Sequence, residues 1–230
     1  MSNPELIRAE IRAGRCKGHV FRDVIFKESG LDPDVPGEIG YDELDEFVNG
    51  LLSIAEMPTP TVDLTAEMVE FYKTPARVVV ELAEQVNWEP DDVFYDLGAG
   101  LGQVVILVNI LTGVAARGVE IEPVYCEYAQ DCASEMGLSR VEFVEADVRD
   151  ADLSSGTVFF LFTPFKGEMF LQVMERLRVL ASTRRIRVIG YGPCSAEIAR
   201  LGWLRREGEE EGGEYSLKIF SSYGQPPTCR

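Results

Sequence analysis

Between Asp96 and Gln103 the chain reads Asp-Leu-Gly-Ala-Gly-Leu-Gly-Gln, with a short apolar run before it and a longer one after. Glycines at 98, 100 and 102 let a strand turn sharply into a helix and let a ligand approach the backbone. The N-terminus of that helix presents free N–H groups suited to a carboxylate. Asp96 stands two residues before the first glycine, where it repels a pyrophosphate and suits a ligand carrying an ammonium group. A strict dinucleotide pattern wants glycine at 103, where this chain has Gln103. Glu120 ends the run Gly118-Val119-Glu120, eighteen residues after Gly102, and at a strand tip it can accept from two ribose hydroxyls. Glu122, two residues on in the loop, is an alternative. Asp147 closes Val144-Glu145-Ala146-Asp147 and can accept from an adenine amino group. Each acid alone reads equally well as a solvated surface group; three in order at successive strand tips point to one ligand with amine, sugar and base.

Placing acids this way requires strands and helices to alternate. The apolar patterning predicts strands at Val93–Leu97, Ala115–Glu120, Val141–Glu145, Thr157–Phe162 and Arg185–Gly190. It predicts helices at Gly102–Thr112, Pro123–Met136, Gly167–Leu180 and Ser195–Leu201 between and after them. Such alternation specifies a parallel sheet covered on both faces. Trp203–Arg206 and Tyr215–Phe220 are strands separated only by the polar run Glu207–Glu214, too short for a crossover helix, so they form an antiparallel hairpin at the sheet edge. The fold class is α/β, a doubly wound, mainly parallel seven-stranded sheet with a C-terminal antiparallel hairpin and an N-terminal helical extension.

That extension, residues 1–57, has helical stretches broken by glycine and proline, with a loop at Leu31–Gly40 and an amphipathic helix over Tyr41–Ile54. Met57-Pro58-Thr59-Pro60-Thr61 is a stiff connector, and the second domain covers 58–230. Thr65–Tyr72 is predicted as a short helix, and Thr74-Pro75 as the cap and first turn of another running to Asn87.

With 46% hydrophobic residues in 230, the chain can bury a sizeable core. It has no apolar stretch of membrane-spanning length and no secretory leader pattern, so it reads as soluble and cytoplasmic. Cysteines 16, 126, 132, 194 and 229 are scattered without a Cys-x-x-Cys pair, and His19 is the single histidine, so no metal site is expected. A formal charge of −17 disfavours nucleic-acid partners, and the arginines at 176, 178, 184, 185 and 187 read as a solvated helix end and turn.

The series of motifs over Thr61–Phe220 resembles the class I S-adenosylmethionine-dependent methyltransferases, whose cofactor carries the amine, ribose and adenine that the three acids suit. Within them, Asp96-Leu97-Gly98-Ala99-Gly100-Leu101-Gly102-Gln103-Val104-Val105 is similar to the cofactor motif of the non-SET histone lysine methyltransferases, the disruptor of telomeric silencing family. The resemblance implies that Gln103 and the run Phe71-Tyr72-Lys73-Thr74 also touch S-adenosylmethionine, with Thr74 the matching residue. It places Thr163-Pro164-Phe165-Lys166-Gly167-Glu168 at the acceptor, where that family has a double asparagine and a phenylalanine. Thr163 and one proline also replace the Asp/Asn-Pro-Pro-aromatic set of adenine and glutamine methyltransferases, which disfavours those substrates.

The acceptor is then a protein side chain or a small molecule. For a lysine, whose free pKa is about 10.4, an apolar channel must favour the neutral amine, and Phe162, Thr163, Phe165 and Tyr72 are expected to line it. Phe165 can orient the amine by cation–π contact worth about 0.5–2 kcal/mol. Two other readings remain open at this point: a non-catalytic member of the fold acting as a binding scaffold through its N-terminal helices, and a nicotinamide enzyme.

Overall fold

The computed structural model describes residues 3–35, 40–54, 57–208 and 212–223. Three helices come first: α1 (Pro4–Arg12), α2 (His19–Ser29) and α3 (Glu43–Leu51). The sheet region follows as α4 (Ala76–Gln85), β1 (Val93–Leu97), α5 (Gln103–Thr112), β2 (Ala115–Glu120), α6 (Pro123–Glu135), β3 (Val141–Glu145), β4 (Val158–Leu161), α7 (Gly167–Ala181), β5 (Arg187–Gly190), α8 (Cys194–Ile198), β6 (Leu204–Arg206) and β7 (Lys218–Ser222).

The strands order β3-β2-β1-β4-β5-β7-β6, parallel from β3 to β5, with β7 antiparallel to both β5 and β6. This is the doubly wound sheet with a closing hairpin that the alternation predicts, and the predicted strands match within three residues at every end. Because successive strands leave β1 on one side and β4 on the other, the loops after β1 and β4 part at their carboxyl ends and open a crevice there.

Each sheet face has its own core. α5 is buried nearly all round, its Val104–Ile110 run packed between the sheet and the outer helices. Phe21, Ile25, Leu44 and Val48 of the N-terminal helices join it with Val79, Phe94 and Phe160 in one continuous cluster, so α1–α3 share the core of the sheet domain. The other face packs Phe170, Val173 and Leu177 of α7 against Tyr95, Phe159 and Val188.

Two predictions fail locally. Residues 65–72 form no helix; Met68 pairs with Phe165 in an antiparallel bridge, Val69 N–H donates to the Pro164 carbonyl and Lys166 N–H to that of Glu67. Eight residues make a marginal helix, and tertiary pairing takes up these backbone groups instead. Helix α4 starts at Ala76 with Pro75 as its cap, and the capping carboxylate comes from Asp45 of α3, whose Oδ1 accepts from Ala76 N–H at 3.0 Å. Residues 57–75 therefore run as an extended strap across the carboxyl ends of the strands. Of the loop at 31–40, Pro36 and Gly37 lie outside the described residues, as do Glu209–Glu211 of the hairpin connection and Cys229.

His19 is exposed at the first position of α2. The four described cysteines are buried and free, and burial pushes the Cys126 and Cys132 thiols up to about 11. Arg176 and Arg184 are spent on backbone carbonyls at 148, 151, 154 and 156. Among the described residues there is no cluster that could hold a metal ion and no helix long and apolar enough to cross a membrane.

Candidate active site

Between the strand tips and the strap lies a cavity of about 440 Å³. Asp96 and Gly98 of the first turn, Glu120 and Glu122 after β2, Phe162, Pro164 and Phe165 after β4, and Met57 to Thr74 of the strap all contribute to its lining. Parallel pairing of β1 with β2 sets Asp96 beside Gly118 and brings the Glu120 tip next to the glycine turn.

Asp96 is 3% exposed, and among the described residues no hydrogen bond or ion pair reaches its carboxylate. Burial drives its pKa well above the ordinary carboxylate range, and the neighbouring Glu120 charge adds to the shift. Glu120 is also buried and raised by desolvation, but it accepts from Gly100 N–H at 2.7 Å and Glu122 N–H at 2.9 Å, which hold part of that rise back. The Ile121 N–H lowers its pKa as well. Gln103 donates to the Thr74 carbonyl at 2.7 Å, leaving its buried Oε1 without a partner. A buried carboxylate and a buried carbonyl oxygen without donors are costly to an empty fold and become favourable when a ligand brings N–H groups to them.

The glycines serve the backbone. Gly100 has φ +53°, and a Cβ there would stand 2.1 Å from the Phe71 ring, which packs on Tyr125 with centroids 5.5 Å apart. Gly102, at φ +79°, is the cap residue of α5 and faces Phe143 and Ala129. Any side chain at either position is strained and collides.

Of the expected cofactor residues, Thr74, Asp96, Gly98, Gln103 and Glu120 line this one cavity, and Gly100 and Gly102 shape its turn from behind. Asp147 is not in the lining; both its oxygens are held by the Arg149 guanidinium, which keeps its carboxyl below the ordinary range. Its neighbours Ala146 and Val148 line the cavity instead. On the acceptor side Tyr72 and Phe165 line it, Tyr72 two-thirds exposed at the rim and Phe165 buried. Thr163 does not: in the left-handed region at φ +45°, it accepts from Cys194 N–H at 3.1 Å and faces the Tyr191 carbonyl, fastening the β4 loop to α8.

Two groups named in the sequence reading take more definite places here. Within the run Phe71-Tyr72-Lys73-Thr74, Phe71 is the ring against the glycine turn, while Tyr72 sits at the rim. Glu122 does more than offer an alternative to Glu120: it caps α6 and takes three further donors from Thr61 and Val62. Pro123 was the available signal, since proline at the first helical position makes the preceding residue the cap.

Residues 70–159, which carry the glycine turn, Glu120 and β1–β3, match the family described as DOT1, histone methylation protein DOT1. Among solved structures, a SAM dependent methyltransferase from Aquifex aeolicus superposes with a TM-score of 0.51 at 16% identity, over 62% of this chain and 88% of that one. The ribosomal protein L11 methylase of Lactobacillus delbrueckii subsp. bulgaricus gives 0.50 at 15% identity, over 65% and 78%. An RNA methyltransferase from Salinibacter ruber, in complex with S-adenosyl-L-homocysteine, is 26% identical over 66% and 92%, with a TM-score of 0.49. No curated protein sequence matches the chain.

Proposed function

We propose that this chain, a class I S-adenosylmethionine-dependent methyltransferase related to the DOT1 family, methylates an amine nitrogen, with a protein lysine as the acceptor. The observation that carries the acceptor is the lining of the cavity. Besides Asp96 and Glu120, assigned to the cofactor below, and Glu122, which is held by Thr61 and Val62, the lining carries Glu70 and the rings of Phe71, Tyr72, Tyr125, Phe162 and Phe165. Among its described residues the one cation, Lys73, is paired with Asp45. Such a site draws in a cationic group and then disfavours its charge by desolvation. The histone methylation family that matches residues 70–159 supports the same acceptor.

S-Adenosylmethionine supplies an electrophilic methyl on a sulfonium. In our reading Asp96 receives the cofactor's ammonium, Glu120 its ribose hydroxyls, and Thr74, Gly98 and Gln103 the rest of the amino-acid end. Phe162, Phe165 and Tyr72 hold the acceptor amine in line and keep water out, and Thr163 supports their loop from behind. Positioning and exclusion of water then carry the rate, without a dedicated acid–base pair. The proton leaves the lysine ammonium for bulk solvent as the side chain enters the aromatic channel, and the neutral nitrogen attacks. Residues 1–57 are an extension packed on the 58–230 domain, and a cytoplasmic location fits the free thiols.

The test is incubation with tritiated cofactor and host lysate. Label entering protein as methyllysine, and lost in Phe165→Ala, is expected; label entering only nucleic acid or small molecules contradicts the lysine reading.

A further inference from the structure

The strap segment from Met57 to Leu64 has no regular secondary structure, yet its ties to the sheet are concentrated on one side chain. Glu122 Oε2 accepts from Thr61 N–H at 2.7 Å and Val62 N–H at 2.8 Å, while Oε1 accepts from the Thr61 hydroxyl at 2.8 Å. Glu122 is 4% exposed, and its carboxylate also caps α6 through Val124 N–H. Burial alone would raise its pKa, but the Val62 and Thr61 donors outweigh that and hold it below the ordinary value, so it stays charged at neutral pH. The Glu122 backbone in turn donates to Glu120 Oε1. Two consecutive links thus run from the ribose-facing acid to the strap.

The strap is a wall of the cofactor cavity: Met57, Pro58, Thr59, Pro60, Val62 and Leu64 line it beside Glu120. Prolines at 58 and 60 stiffen it, so it moves as a piece and loses little entropy on closing. Its three charge-assisted hydrogen bonds to Glu122 must break if the wall is to lift away from that residue.

We propose that Glu122 is a positioning residue, a latch that keeps the 57–64 strap closed over the cofactor cavity, and that cofactor exchange requires the strap to lift from it. The inference rests on the cofactor assignment above. A gate differs from a plain binding wall in kinetics: loosening a gate speeds both entry and release, whereas removing a contact speeds release alone.

Stopped-flow binding of S-adenosylhomocysteine to the full chain tests this with Glu122→Ser. Serine is a good helix cap, so α6 keeps its start, but it is too short to reach Thr61 and Val62. The release rate is expected to rise about tenfold or more, with a smaller rise in the association rate. Thr61→Val, which removes one of the three strap donors, should move both rates in the same direction by less. Release that speeds up with entry unchanged or slowed, or both rates within twofold of the wild type, overturns the latch.

Hydrogen exchange on the ligand-free chain separates this from the cofactor assignment. Thr61 and Val62 amides should be protected in the wild type and exchange at least tenfold faster in Glu122→Ser; equal exchange overturns the latch. If the wild type shows this protection but binds no S-adenosylhomocysteine, the cofactor assignment falls and the latch remains as a closure of the cavity.

Discussion

Asp92, just before β1, and Asp96, near its carboxyl end, lie four residues apart and are 5% and 3% exposed. At the amino end, Asp92 accepts from the Thr157 hydroxyl and Glu89 N–H, each at 2.7 Å, and pairs with the Arg187 guanidinium. At the carboxyl end Asp96 has no partner among the described residues. Equal burial with opposite treatment separates a carboxylate tied into the fold from one that, in the reading proposed above, receives a ligand. On that reading the amino end of the sheet is finished by the chain itself and the carboxyl end by the cofactor.

The largest expected effect sharpens this contrast. Asp92→Ala leaves Arg187, whose side chain is 12% exposed, without its counter-charge, and should cost about 3–5 kcal/mol in denaturant unfolding. Asp96→Asn should do the opposite to the ligand-free fold, leaving it as stable as the wild type or more so, because it removes an unpaired buried charge. Destabilisation of both variants by similar amounts breaks the comparison.

For binding, Asp96→Asn should weaken S-adenosylhomocysteine by about 1.5–3 kcal/mol, roughly ten- to a hundredfold, in isothermal titration. Gly100→Ala forces a Cβ into the Phe71 ring at a left-handed φ and should cost about 1–3 kcal/mol of stability with a parallel loss of cofactor affinity.

The pH dependence follows from the raised pKa of Asp96. A carboxyl whose folded pKa lies above its unfolded value binds protons more tightly in the folded state, so the ligand-free fold loses stability as pH rises from the ordinary carboxylate range through the raised folded value. Binding runs the other way: an ammonium needs the ionised form, so affinity should rise over the same interval. In Asp96→Asn that rise should be largely gone when affinity is titrated from pH 5 to 8.

The smallest effect concerns Asp147. With its oxygens on Arg149, Asp147→Ala should change cofactor affinity by about threefold or less. A loss as large as that of Asp96→Asn would return it to the binding set.

These placements also explain which features were legible in the sequence. The strand and helix alternation is written in apolar runs, and Asp96 and Glu120 announce themselves through the glycines around them. The course of 65–72 is not legible, because its Val69 N–H and Glu67 carbonyl pair with Pro164 and Lys166, distant partners that no local pattern reveals. Asp147 had the right position but not the right freedom; Arg149 two residues later was visible, and a guanidinium so close can close on the carboxylate. Thr163 looked like a channel residue by alignment with a motif, whereas its left-handed backbone turns the hydroxyl toward α8. Position along a strand was readable, and the partner that each side chain finally meets was not.

In the reading proposed above, Asp96 receives the cofactor's amino-acid end. The most direct test compares affinities for S-adenosylhomocysteine and for 5′-methylthioadenosine, which lacks that end, in wild type and Asp96→Asn. A wild-type preference of about tenfold or more for S-adenosylhomocysteine, collapsing toward unity in the variant, is the predicted result. The same preference in both proteins would contradict it.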